Sequence, residues 1–265
     1  MGIVIAIASQ KGGVGKTTTT LNLGFSLSRL GGKVLLIDGD PQGGLSFASN
    51  VKKRARGTLV DVLRGRMGPP DAVTFARDGQ IGVVAMGCSE ASDIDLVERT
   101  ASNGVLVKLI AEFTQGFDYA FIDAPGGLGS FSRSLLAACD GVVGVLTCDA
   151  LSMRSLPGLL KALQSLTGDG AGPRLEGLLA TMIDPRRVQD RDLLQRLKSA
   201  LPQGALFETV IPFDDSFEQA SLSSVPVALL PSAAEAARAY MALAVEFRTR
   251  LGRGRGESDG DLGLF

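Results

Sequence analysis

Gln10-Lys11-Gly12-Gly13-Val14-Gly15-Lys16-Thr17-Thr18 follows directly on the apolar run at 3–8 (IVIAIA) and runs on into TTLNLGFSL. A buried strand feeding a glycine-rich turn that opens a helix is the context a phosphate loop needs. Glycines let successive backbone N–H groups turn inward on an anion, and the helix N-terminus adds its positive dipole end. In such a loop Gly12, Gly13, Val14, Gly15, Lys16, Thr17 and Thr18 form the cradle, Lys16 reaches the β- and γ-phosphates, and the Thr17 hydroxyl binds Mg²⁺. ATP and Mg²⁺ are the implied ligands.

Outward from this stretch, short apolar runs alternate with longer amphipathic ones. Strands are expected at 3–8, 33–37, 81–86, 118–122, 141–147, 177–183 and 205–211. Most are continuously apolar, as in a parallel sheet covered on both faces. Helices are expected at 102–115, at 155–167 with Pro157 in the first turn, and from the capping box Ser232-Ala-Ala-Glu235 to about Leu251. The expected fold is a single α/β domain of the P-loop NTPase class over residues 1–251, with a mostly parallel twisted sheet between helical layers. Residues 252–265, Gly-rich and charged, are expected to form a flexible tail.

Composition removes several chemistries. Histidine is absent from the 265 residues, and the cysteines are three, widely spaced and without a CxxC pair. A disulfide framework, a zinc site and histidine acid–base chemistry are therefore excluded. The net charge of −1 marks neither an acidic tail protein nor a polybasic one, so any nucleic-acid surface must be a local patch. No stretch is long and apolar enough to span a bilayer.

Two acidic strand ends join the loop. Ala120-Phe-Ile-Asp123 places a carboxylate at the carboxyl edge of a hydrophobic strand, where Asp123 would hold Mg²⁺ through water. Ile37-Asp38-Gly-Asp40-Pro-Gln-Gly ends another strand with two carboxylates at i and i+2, which point the same way.

The string K-G-G-V-G-K-T-T, with Gln10 where the general phosphate-loop pattern has glycine and Lys11 as a second lysine, resembles the deviant Walker A signature of the ParA/MinD superfamily of ATPases. The segments at 36–43 and 119–129 strengthen the resemblance, which spans about residues 2–250. It implies that Lys11 crosses an ATP-sandwich homodimer to the partner's phosphates and is catalytic with Lys16 and Asp40. Asp40 would orient the attacking water, and Asp38 would lie near Mg²⁺ with Thr17 and Asp123. Thr181-Met-Ile-Asp184 and Ile211-Pro212 resemble the family's adenine-holding segments, implying base contacts at Asp184 and Pro212.

The resemblance implies a slow, dimerisation-dependent ATPase that positions or segregates a cargo such as a plasmid or chromosome locus, a protein cluster or an organelle. The ATP dimer would grip DNA non-specifically, and a ParB-like or other adaptor would stimulate hydrolysis. A cytoplasmic, nucleoid-associated protein is expected. Candidate DNA contacts are Arg186, Arg187, Arg191 and Arg196, then Arg248, Arg250, Arg253 and Arg255, and the cluster Lys52, Lys53, Arg54 and Arg56. Where chromosome-partitioning relatives have I-P-R-N-x-R, Ile211-Pro-Phe-Asp-Asp-Ser216 replaces the arginines with acids. That departure points towards an orphan member. The alternative is a MinD- or FlhG-like regulator of division or flagellar placement on a membrane or partner, but the acidic, Gly-rich tail makes a poor membrane anchor. A nitrogenase-iron-protein-like carrier would need a cysteine just after Asp123, and Ala124 to Gly129 contains none.

Overall fold

The computed structural model describes residues 2–51, 53–76, 79–101, 104–167 and 172–256, the last four of these in their backbone only. Seven strands form one sheet: β1 (Ile3–Ala8), β2 (Val34–Asp38), β3 (Thr74–Phe75), β4 (Ile81–Val84), β5 (Tyr119–Asp123), β6 (Gly141–Thr147) and β7 (Arg174–Thr181), in the order β3-β4-β2-β5-β1-β6-β7. All neighbours run parallel except the two-residue β3, which pairs antiparallel with β4.

The helices are α1 (Lys16–Arg29), α2 (Gly44–Ala48), α3 (Leu59–Leu63), α4 (Ala91–Thr100), α5 (Val105–Phe113), α6 (Ser130–Ala137), α7 (Ala150–Leu166), α8 (Val188–Ala200), α9 (Ser216–Ser223) and α10 (Ala234–Gly256). Alternate strand residues serve opposite faces, because successive side chains point to opposite sides of a pleated strand. Ile3, Ile5 and Ile7 of β1 pack with Leu23 and Leu27 of α1 and Tyr240, Leu243 and Phe247 of α10. Val4, Ala6 and Ala8 pack with α3 to α7 through residues such as Val60, Val97, Ile110, Leu135 and Leu159. A third, smaller cluster joins Leu178 of β7 to Leu197 of α8 and Leu206.

Three expectations change. Asp149, whose carboxylate accepts the Ser152 N–H, caps α7 at Ala150. Pro157 is therefore in the helix interior, where it removes the N–H that would have bonded Met153 O, and not in the first turn. Residues 205–211 are not a strand of the sheet. They touch β7 through an isolated bridge at Leu178–Leu206, and their outer edge meets side chains of α10. The last helix continues past Leu251 to Gly256, so residues 252–256 of the tail expected at 252–265 are helical; residues 257–265 lie outside the described residues.

Candidate active site

The loop between β1 and α1 is opened by backbone conformation. Gly13 (φ 72°) and Gly15 (φ 89°) are both left-handed, and Gly15 caps α1 without any side-chain hydrogen bond. Among the described residues the first N–H groups of α1 therefore have no protein acceptor. Val14 is fully buried, and its carbonyl accepts the Thr181 hydroxyl at 2.7 Å, which fixes the loop to the end of β7. Lys16 is buried at the helix start, while Gly12 and Gly13 face open space.

Thr17 and Asp123 meet at the carboxyl edge of the sheet. Thr17 Oγ1 donates to Asp123 Oδ2 at 2.6 Å, and Asp123 Oδ1 is buried with no hydrogen-bond partner among the described residues. Burial pushes the Asp123 carboxyl up to about 7; Asp38 and Asp40 push the same way, against the Thr17 hydroxyl and the Lys16 ammonium. An orphaned carboxylate oxygen beside a threonine hydroxyl is the donor set a water-shelled Mg²⁺ accepts. These residues fit that ion.

Asp38 is the register partner of Asp123 on the adjacent strand. Its Oδ2 accepts both the backbone N–H and the hydroxyl of Ser46, and its Oδ1 accepts Asp40 N at 3.3 Å. Burial raises its pKa to about 6 against these hydrogen bonds. The side chain expected beside the metal thus brackets the 38–40 turn onto α2.

Asp40 is half-buried. Its Oδ1 accepts Gln42 N at 2.9 Å and its carbonyl accepts Gly43 N, so the turn folds back over the loop. A methyl group on Gly44, the first residue of α2, would sit 3.2 Å from Thr17 Oγ1. On the other side, a methyl on Gly126 would lie 3.8 Å from Lys16 Nζ, and Gly127 N donates to Ser9 O. The two segments after β2 and β5 therefore flank the phosphate loop closely enough to report on what fills it.

Lys11 is partly buried and paired. Its Nζ pairs with Asp149 Oδ2 at 2.6 Å and lies 3.4 Å from Thr147 Oγ1. The Thr147 hydroxyl also donates to Asp149 Oδ2. Burial alone would raise the Asp149 carboxyl. Hydrogen bonds from Lys11, Thr147 and Ser152 outweigh it and hold the group well below the usual carboxylate range. Asp149 was not among the sequence candidates; its one local signal was an acid at the cap position of a helical run.

The two segments expected at the base lie side by side, since Ile183 and Pro212 form a parallel bridge and Phe213 N donates to Ile183 O at 3.0 Å. Asp184 is not free, however. It accepts Arg186 N, Nε and Nη2 at 2.9–3.1 Å, and these bonds lower its pKa. Met182, left-handed at φ 57° and 41% exposed, lies against the glycine-rich loop, its Cε 3.8 Å from where a methyl on Gly15 would be.

The arginine candidates separate. Arg186 and Arg187 are exposed but paired with Asp184, Arg187 also lying over Phe213, and Arg191 donates to Pro185 O. Arg248 reaches Leu30 O, at the turn before β2 and so at the opposite edge of the sheet. Arg250 is withdrawn as a phosphate contact: it is 20% exposed, pairs with Glu246, donates to Gly204 O and Leu206 O, and covers the Phe207 ring. Lys53, Arg54 and Arg56 are exposed and form no ion pair among the described residues. Lys52 and the side chains of Arg253 and Arg255 lie outside the described set.

The AAA domain family matches residues 2–172. The sporulation initiation inhibitor protein Soj of Bacillus subtilis is 30% identical over 249 residues, covering 93% of this chain and 98% of Soj. The chromosome partitioning protein ParA of Caulobacter vibrioides is 31% identical over 254 residues, covering 93% and 94%. The cell division ATPase MinD of Pyrococcus furiosus superposes with a TM-score of 0.79 at 26% identity, covering 94% of this chain and 99% of that one. Cobyrinic acid a,c-diamide synthase of Mycobacterium smegmatis, with bound ADP and magnesium, superposes at 0.78 and 27% identity, covering 96% and 97%.

Proposed function

Because the chain belongs to the ParA/MinD family of P-loop ATPases, whose members serve partitioning and positioning, we propose that it is an ATP-dependent dimerising switch that places a cargo by gripping DNA non-specifically. ATP with Mg²⁺ closes two protomers face to face, the closed pair holds its surface, and an adaptor stimulates hydrolysis and release. The observation that carries this reading is the pairing of Thr17 with the half-satisfied Asp123 at one loop that also holds Lys11 in an ion pair ready to be exchanged.

In this scheme the free N–H groups at the start of α1 and the Lys16 ammonium hold the phosphates. Thr17 and Asp123 hold the Mg²⁺, which when bound neutralises charge on the phosphoryl oxygens. Asp40, fixed through Asp38 and Ser46, orients the attacking water. Lys11 leaves Asp149 and supplies a cation to the other protomer's phosphates, where charge develops during transfer. Hydrolysis is thereby coupled to pairing. Segments 40–44 and 125–127, lying against Thr17 and Lys16, pass the state of the phosphate outward.

The exposed cations at 53, 54 and 56 follow the α2 segment and suit a phosphate backbone better than the acid-paired Arg186 and Arg187. The test is co-sedimentation with non-specific duplex DNA, together with the ATPase rate. The expected result is retention with ATP that is lost with ADP and at high salt. Equal retention in both nucleotides, or none at low salt, overturns the DNA reading and leaves the ATPase untouched.

A further inference from the structure

Residues 204–209 lie along the outside of β7 with one edge bonded to the sheet. Leu178 N donates to Ala205 O and Phe207 N to Leu178 O, both at 2.8 Å. In a sheet the other edge would need one more strand. Here two side chains of α10 take that place. Arg250 donates through Nη1 to Gly204 O at 2.6 Å and through Nη2 to Leu206 O at 2.7 Å. Glu246 accepts Glu208 N at 2.8 Å and Thr209 N at 2.9 Å. The two side chains pair with each other at 2.7 Å, and the guanidinium lies 4.2 Å above the Phe207 ring. A planar fork supplies the donors and a carboxylate the acceptors, so both kinds of backbone group on that edge find partners.

The sheet makes room for this arrangement. The β6–β7 register slips between Val142 and Val143, opposite Leu175 and Gly177. A methyl on Gly177 would lie 2.7 Å from the Phe207 ring and 3.0 Å from Arg250 Nη1. Beyond the clamped stretch the chain returns to the site: Ile211 N donates to Ala180 O, and Pro212 bridges Ile183 beside Met182.

We propose that Glu246 and Arg250 are positioning residues for the base of the bound nucleotide. They hold 204–209 from the outside, so that the Ile211–Phe213 stretch stays seated against Ile183. The proposal rests on the reading that these segments receive the base. The phosphates are held elsewhere, by the loop, Lys16 and the start of α1, so loosening the clamp acts on the base and leaves the triphosphate grip intact.

The test uses the full-length protein carrying Arg250→Lys or Glu246→Gln, each of which keeps a polar side chain of similar size, with a cooperative melt as the check on folding. Displacement of a fluorescent ATP analogue is measured with Mg-ATP and with Mg-tripolyphosphate, which has no base. Loss of two charge-assisted hydrogen bonds predicts ATP affinity weaker by about tenfold, with tripolyphosphate affinity and kcat within about twofold of the parent. Arg248→Ala, on the same helix but facing Leu30, is expected to behave as the parent. Unchanged ATP affinity in the folded variants overturns the proposal. So does an equal loss for ATP and tripolyphosphate, which would mark a purely structural role. Met182→Gly separates the premise: a change of the ATP-to-tripolyphosphate ratio there but not in the clamp variants overturns the clamp alone, and no change in any of them removes the base reading with it.

Discussion

Lys11 Nζ and Asp149 Oδ2 stand 2.6 Å apart, joining the phosphate loop to the cap of α7 across 138 residues of chain. A lysine proposed to serve the other protomer is thus committed at home, and pairing must exchange one anion for another. The equilibrium between these states depends on how strongly Asp149 competes with the partner's phosphates.

Asp149→Asn tests that competition. Asparagine caps a helix about as well as aspartate, so α7 keeps its start while the charge is removed. The pair is partly exposed, 26% and 39%, so its worth is discounted to the surface range. A bridge of about 0.2–1 kcal/mol, broken once in each protomer, predicts ATP-dependent dimerisation tighter by roughly two- to thirtyfold. Lys11→Ala should abolish it. Sedimentation velocity with a non-hydrolysable ATP analogue reads both, and a weaker dimer in Asp149→Asn would refute the restraining role.

The Thr17–Asp123 contact predicts a pH dependence. Asp123 at about 7 and Asp38 at about 6 are both raised above the unfolded value, so the folded state binds more protons in the window between about 4 and 7. Their contribution is fully present below the unfolded pKa and is lost as pH rises through the folded ones. The nucleotide-free protein should lose on the order of 4 kcal/mol of stability between pH 5 and pH 8. The carboxyls held low, such as Asp149 and Asp93, act below this window and with the opposite sign. Mg²⁺ competes with the Asp123 proton, so Mg-nucleotide affinity should rise over the same range. Asp123→Asn should flatten both curves in thermal melts and titration calorimetry; a pH slope unchanged in that variant would count against the assignment.

Asp40 is held by local turn bonds and makes no long-range hydrogen bond or ion pair among the described residues. Asp40→Ala should therefore fold with a cost of about 1 kcal/mol while losing two or more orders of magnitude in hydrolysis, the usual range for a positioned general base. ATP-bound dimers should accumulate. Single-turnover hydrolysis is the measurement, and a rate equal to that of the parent removes Asp40 from the chemistry.

What the sequence made legible follows the range of the interactions. The phosphate loop, Asp123 at its strand end and the alternating layers were readable because each is written in a contiguous string whose backbone demands are local. Asp149 was not, since nothing near it signals a partner 138 residues away. Arg250 read as a surface cation because its acceptors, Gly204 O and Leu206 O, are backbone groups that no residue type advertises. The same bonds explain why 205–211, apolar and strand-like, pairs along only one edge. Pro157 misled in the opposite sense: proline favours a first turn, and the Asp149 cap overrode that preference by starting α7 earlier.

The arginines and lysine after α2 carry the last prediction. Lys53, Arg54 and Arg56 are exposed and unpaired among the described residues, whereas Arg186 shares the Asp184 carboxylate and Arg250 is enclosed. Replacing the three by alanine removes no contact of the phosphate loop, so basal ATPase should stay within about twofold of the parent and melting should shift little. If each cation neutralises one phosphate of the duplex, the six removed from the dimer should lower the slope of log affinity against log salt by about 5.4, at about 0.9 per contact. The same triple change in a protein that places its DNA surface elsewhere would leave that slope unaltered. Arg186→Ala provides the contrast, because removing a cation already neutralised by Asp184 should alter the slope far less. Fluorescence anisotropy with a labelled duplex, titrated in ATP across a salt series, separates these outcomes.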